Sequence, residues 1–146
     1  MTARIDRLAV ASIALGGGLG SIARYAMSRA WPPGHESIPW STLTINLVGA
    51  LLFGMLVVAV TEIWRPHRLI RPFLGTGVLG GFTTFSTFAV EVRGLGSAAA
   101  SVYLALSAVG GLAAAFAGMT LIRQLEPRMS IAASHEVVDN LDPELP

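Results

Sequence analysis

Apolar positions along this chain collect into four long runs, separated by short polar or proline-containing connections. The first run covers about Leu8 to Ala30, with Arg24 near its end. The second covers about Trp40 to Ile63 and carries no charge between Ser41 and Thr61. The third covers about Pro72 to Val92 and is uncharged as far as Val90; the fourth covers about Gly94 to Ile122 and is uncharged throughout. A helix needs roughly 20 mainly apolar residues to cross a bilayer. Each run meets that length, and the fourth exceeds it enough to tilt. Trp31, Trp40 and Trp64 fall at run ends, where amphipathic rings favour the membrane interface. The Trp31-Pro32-Pro33-Gly34 stretch ends the first helix, because proline cannot extend it. After Arg123 the apolar pattern stops. The expected architecture is an all-α integral membrane protein with four transmembrane helices in one domain, residues 1–125. A polar tail, residues 126–146, follows it and is expected to lack fixed structure.

The third run contains Gly80-Gly81-Phe82-Thr83-Thr84-Phe85-Ser86-Thr87-Phe88. A glycine costs roughly 1 kcal/mol against alanine inside a helix, and threonine is an indifferent helix former. The segment is therefore expected to break the third helix mid-membrane. Irregular backbone at that depth survives only where protein buries it or where it lines a wet cavity, so the segment reads as a site for a small solute or an ion.

Composition agrees with the pattern. The chain has 146 residues, of which 53% are hydrophobic and 13% charged, with mean hydropathy +0.62; soluble domains carry about 25% charged residues. A net charge of +1 gives no argument for nucleic acid, and the absence of cysteine excludes disulfides and thiolate metal sites. The basic start (Arg4, Arg7) followed by an apolar run resembles a signal peptide but lacks a clean cleavage context, so it is read as a retained first helix. Arg4, Arg7, Arg65, Arg68, Arg71, Arg123 and Arg128 fall on one side of the four spans; Arg24, Arg29 and Arg93 fall on or toward the other. The bias favours a multi-pass protein of the cell membrane with both termini in the cytoplasm. Small residues at four-residue spacing (Gly16 and Gly20; Gly17 and Ser21; Gly110, Ala114 and Gly118) imply close helix association, within the chain or in an oligomer.

Few residues in the spans carry chemistry. Asn46 lies mid-span and shares a helical face with Thr42, Gly49 and Phe53. An amide in hydrocarbon requires partners, so this face either makes a structural interhelical hydrogen bond or offers donors to a solute. Tyr103, Ser107 and Gly111 share a face of the fourth span and form a polar track, unless the serine bonds back to its own helix. Phe85 and Phe88 lie three apart after the expected break, where they either pack or aim electropositive ring edges at an anion. No Asp, Glu, Lys or His lies centrally in any span, and His35, His67 and His135 fall in connections or the tail. No nucleophile–base pair, phosphate loop or metal-ligand cluster appears. These absences argue against an enzyme and against proton-coupled transport. Neutral donors, ring edges and a broken helix suit passive passage of a small anion, because conduction requires binding weak enough to release.

Three segments together resemble the CrcB/Fluc fluoride channels: Gly17-Gly18-Leu19-Gly20-Ser21-Ile22-Ala23-Arg24-Tyr25, Thr42-Leu43-Thr44-Ile45-Asn46-Leu47-Val48-Gly49, and Gly77 to Phe88. The resemblance runs in order over about Leu8 to Ile122. It implies four-helix chains pairing as an antiparallel, dual-topology dimer, with the third helices crossing at their breaks. It implies a structural Na⁺ there, held by the backbone carbonyls of Gly80 and Thr83, and two fluoride pathways per dimer. By motif match, Phe85 and Phe88 supply ring edges, Asn46 and Thr42 supply donors, and Tyr103 and Ser107 form the polar track. Gly111 stands where some members carry a further hydroxyl. Arg24 matches an arginine that draws anions into a vestibule, or else it snorkels to the headgroups. The function implied is a fluoride-selective channel that lowers cytoplasmic fluoride. The arginine bias leaves open a homodimer or a heterodimer with an oppositely oriented paralogue. Alternatives are a small secondary transporter and a non-transporting subunit of a membrane assembly.

Overall fold

Asp6 starts the first helix. Its carboxylate accepts the amides of Leu8 (3.1 Å) and Ala9 (3.4 Å), capping α1, Arg7–Ala30. Desolvation acts to raise the Asp6 carboxyl; the two amides and the neighbouring Arg68 guanidinium outweigh it and hold the group below its usual value. The computed structural model describes residues 6–31, 38–63 and 66–139, with side chains described through Leu125. Pro32 to Gly34, Trp64 and Arg65 lie outside the described residues.

All the described regular structure is helical. α2 covers Trp40–Val58 and continues as one π-helical turn, Ala59–Ile63. The third span opens with a π-helical segment, Pro72–Leu79, then α3, Gly80–Phe82, and α4, Phe85–Gly94. α5 covers Ser97–Asp139, so helical backbone continues past residue 126, the expected start of the tail. Four stretches are long and apolar enough to cross a membrane: Arg7–Ala30, Trp40–Ile63, Pro72–Gly94 and Ser97–Leu125. These match the four runs of the sequence to within a few residues at every boundary.

The helices pack as two pairs, α1 on the first half of the third span and α2 on α5. Glycine makes both contacts possible. A side chain at Gly16 or Gly20 would run into the backbone of the third span, at the carbonyls of Phe73 and Val78. A side chain at Gly81 would meet the Gly17 carbonyl in return. Between α2 and α5, Gly54 faces the Ala115 carbonyl and Gly118 faces the Leu51 carbonyl. In lipid there is no hydrophobic force between helices, so such backbone-to-backbone approach supplies the dispersion energy that joins them. The stripes through Gly16–Gly20 and Gly118 therefore serve packing within the chain. Two ion pairs, Asp6–Arg68 and Glu62–Arg123 (2.6 Å), tie helix ends together at one end of the bundle. Both are largely exposed, so their contribution is small.

Candidate functional site

Helical geometry is interrupted at two residues. Thr83 has φ −75° and ψ 158°, and Thr84 has φ −145° and ψ 119°; both are extended. The Thr84 amide would donate to the Gly80 carbonyl in a continuous helix. It donates instead to Asn46 Oδ1 at 2.8 Å, while Asn46 Nδ2 donates to the Thr84 carbonyl at 3.0 Å. One amide side chain thus satisfies both backbone groups of the interrupting residue, which would otherwise be unpaired in an apolar setting. The Thr84 hydroxyl then accepts the Thr87 amide at 3.2 Å and caps α4.

The other side of the interruption faces α1. Ser21 Oγ donates to the Gly81 carbonyl and Arg24 Nη1 to the Thr83 carbonyl, each at 3.5 Å. Arg24 therefore reaches the interrupted backbone. The Gly80 carbonyl has lost its usual amide partner, and Gly80 lines a groove of about 650 Å³.

That groove gathers most of the residues singled out in the sequence. Asn46, Gly80, Thr83, Phe85, Phe88 and Ser107 all line it. Asn46 has a second amide hydrogen beyond the one given to Thr84. The Ser107 hydroxyl is buried and makes no hydrogen bond among the described residues, so it does not bond back to its own helix. Phe85 is 80% exposed and tilts against Phe88, with ring centroids 5.8 Å apart. Thr42 and Tyr103 are elsewhere. Both are buried, and both hydroxyls donate to Glu91: Thr42 Oγ1 to Oε1 at 2.7 Å, and Tyr103 to Oε2 at 2.8 Å. The two sites adjoin through Phe88, whose ring stands 5.0 Å from that of Tyr103. Arg24 and Gly111 do not line the groove.

A family model described as CrcB-like protein, Camphor Resistance (CrcB), matches residues 11–119 and takes in both Asn46 and the interruption. The chain belongs to the CrcB family. A protein of Nocardia farcinica named fluoride-specific ion channel FluC 2 is 46% identical over 119 residues, 80% of this chain and 84% of that protein. One of Rhodospirillum centenum, named fluoride-specific ion channel FluC, is 44% identical over 124 residues, covering 78% and 94%. A FluC 2 of Streptomyces avermitilis is 54% identical over 86 residues, and there the match spans only 54% of the relative's length. With its four spans, this CrcB protein is a multi-pass membrane protein and not an enzyme.

Glu91 is the residue that sequence reasoning missed. It lies one residue past the uncharged stretch and reads as a span boundary by linear counting. The signal available was its register. Three residues after Phe88, it lies on the same face of α4 and meets Thr42 and Tyr103, two hydroxyls already singled out.

Proposed function

We propose that this CrcB protein passes fluoride passively across the cell membrane and so lowers cytoplasmic fluoride. The observation that carries the reading is the groove, which sets the unpartnered Ser107 hydroxyl, the spare Asn46 amide hydrogen and two phenyl rings beside interrupted backbone. The names of the relatives point the same way. Fluoride is small and strongly hydrated, so a path for it replaces water with neutral donors without holding the ion tightly. Asn46 and Ser107 provide such donors, and the edges of Phe85 and Phe88 provide weak positive potential. Thr42 and Tyr103 stand one step removed, because their hydroxyls reach fluoride only by letting go of Glu91.

The reading extends to an antiparallel, dual-topology dimer with the third helix broken mid-membrane. The groove lies open on one side of the chain, and Phe85 and Val90 at 80% and 70% exposure leave an apolar face without cover. A homodimer is the simpler form, and the arginine bias keeps the paralogue heterodimer in view. A structural Na⁺ fits the interruption. The Gly80 carbonyl is freed from its helix, and the Thr83 carbonyl keeps a lone pair beyond the one facing Arg24. When bound, the ion supplies fixed positive charge near the anion path. A particle mass of twice 15.3 kDa, after subtraction of detergent, is expected of the dimer. A monomer of full activity contradicts it.

Liposomes holding the purified protein should release fluoride rapidly and chloride slowly; equal rates remove the selectivity. Glu91 favours a second reading, proton-coupled transport, since it places a carboxylate against the candidate path. Fluoride release that follows an imposed pH gradient, and stops without one, supports that reading over a channel.

A further inference from the structure

A second cavity, of about 350 Å³, adjoins the groove and shares Phe53 and Gly75 with it. It lies between the end of the second span and the start of the third, at the end of the bundle where the two ion pairs tie the helices. Its walls are apolar except for two side chains, Arg71 and Thr76. Arg71 is exposed. One of its terminal nitrogens, Nη2, donates to the Val60 carbonyl in the π-helical turn that ends the second span. A guanidinium has five N–H donors, and among the described residues Arg71 has no carboxylate partner, whereas Arg68 and Arg123 each have one. Its charge is therefore anchored at one atom and otherwise free to act on the cavity. Thr76 is similar. Thr61, Thr83 and Thr120 bond back to their own helices, but the Thr76 hydroxyl makes no such bond among the described residues.

We propose that Arg71 and Thr76 form an anion-collecting mouth to the groove, drawing hydrated fluoride into the smaller cavity before it passes Phe53 and Gly75. The inference rests on the channel reading above and assigns that reading a charge the sequence did not single out. The chemistry is that of weak capture. A solvent-facing guanidinium raises the local concentration of anions through its field, and the effect weakens as salt screens it. The Thr76 hydroxyl gives one donor at the point where the ion starts to shed water. Neither group encloses the ion, so capture does not become tight binding.

The test is fluoride release from liposomes as a function of fluoride concentration and ionic strength, for wild type, Arg71→Gln, Arg71→Lys and Thr76→Val. Arg71→Gln should lower release several-fold at low fluoride and low ionic strength, on the order of threefold to tenfold for loss of one steering charge. Its rate at saturating fluoride or high salt should approach wild type. Arg71→Lys should restore most of the low-fluoride rate, because a point charge suffices. Thr76→Val should act in the same direction and less. A uniform loss at all concentrations and salts, in Arg71→Gln and Arg71→Lys alike, shows that the side chain only caps Val60 and overturns the proposal. An unchanged Arg71→Gln also overturns it. If Arg71 instead holds an anionic lipid headgroup, its loss disappears in vesicles of phosphatidylcholine alone, which again overturns the proposal. Wild-type protein that releases no fluoride fails the channel reading itself, a result distinct from all of these.

Discussion

The two halves of the third span are built on opposite principles. Pro72–Phe82 lies against α1 with backbone touching backbone, and Gly77 and Leu79 are buried. Phe85–Gly94 has no buried residue, and Phe85 and Val90 face outward. The first half is held by dispersion between close backbones. The second is held by hydrogen bonds at its two ends: Asn46 and the Thr84 cap at its start, and Glu91 with Thr42 and Tyr103 further along. A half packed by glycine tolerates no change of shape, whereas a half hung on side-chain hydrogen bonds leaves apolar rings exposed, as the proposed path and dimer require.

The largest effect should follow from wedging the packed half. Gly20→Leu drives a side chain into the Val78 carbonyl. Overpacking usually costs about 1–3 kcal/mol, and here backbone cannot yield as a side chain would, so a loss of at least about 3 kcal/mol is expected. Thermal unfolding in detergent should show it, and a variant as stable as wild type would dissolve the comparison. Next comes Asn46→Ala, which strands the amide and carbonyl of Thr84. Each unpaired group costs about 1–3 kcal/mol, and fluoride release should fall more than stability does. An active Asn46→Ala would show that the interruption holds its shape without the clamp.

Phe85→Ile and Phe88→Ile sharpen the contrast from the other side. Phe85 is too exposed in the single chain to contribute much to its packing, so its stability change should stay within about 1 kcal/mol. Fluoride release should nevertheless slow or stop in both variants, and full activity in both would remove the rings from the path. The smallest effect belongs to Asp6. Its folded carboxyl is held below the unfolded value, so its contribution is present above the usual carboxylate range. It is lost as pH falls through that lowered value. Asp6→Asn should remove that slight acid sensitivity from the unfolding curve, by a small loss of stability near neutral pH that vanishes in acid, where the wild-type carboxyl is protonated too.

How much of this was legible in the sequence follows from the same contrast. The four spans could be read because charge is sparse in them and confined toward their ends, and the Thr83–Thr84 interruption falls within the segment where paired glycines and hydroxyls weaken a helix. Asn46 announced itself as an amide in an apolar run. Its partner did not, because a backbone amide at Thr84 becomes available only once the helix has already given way. The destinations of the Thr42 and Tyr103 hydroxyls were hidden for a related reason. Both depend on Glu91, and its depth in the fold is set by packing rather than by its place at the edge of a run. The π-helical turn of Pro72–Leu79 left no mark on the pattern, since widening a helix by one residue per turn disturbs no periodicity that a short glycine-rich segment shows.

The most direct measurement is paired fluoride and chloride release from liposomes holding only this protein, with no pH gradient imposed. Fast fluoride release with little chloride release is the predicted result. Equal release of both ions, or fluoride release that appears only under a pH gradient, would contradict a groove of neutral donors serving as a passive fluoride path.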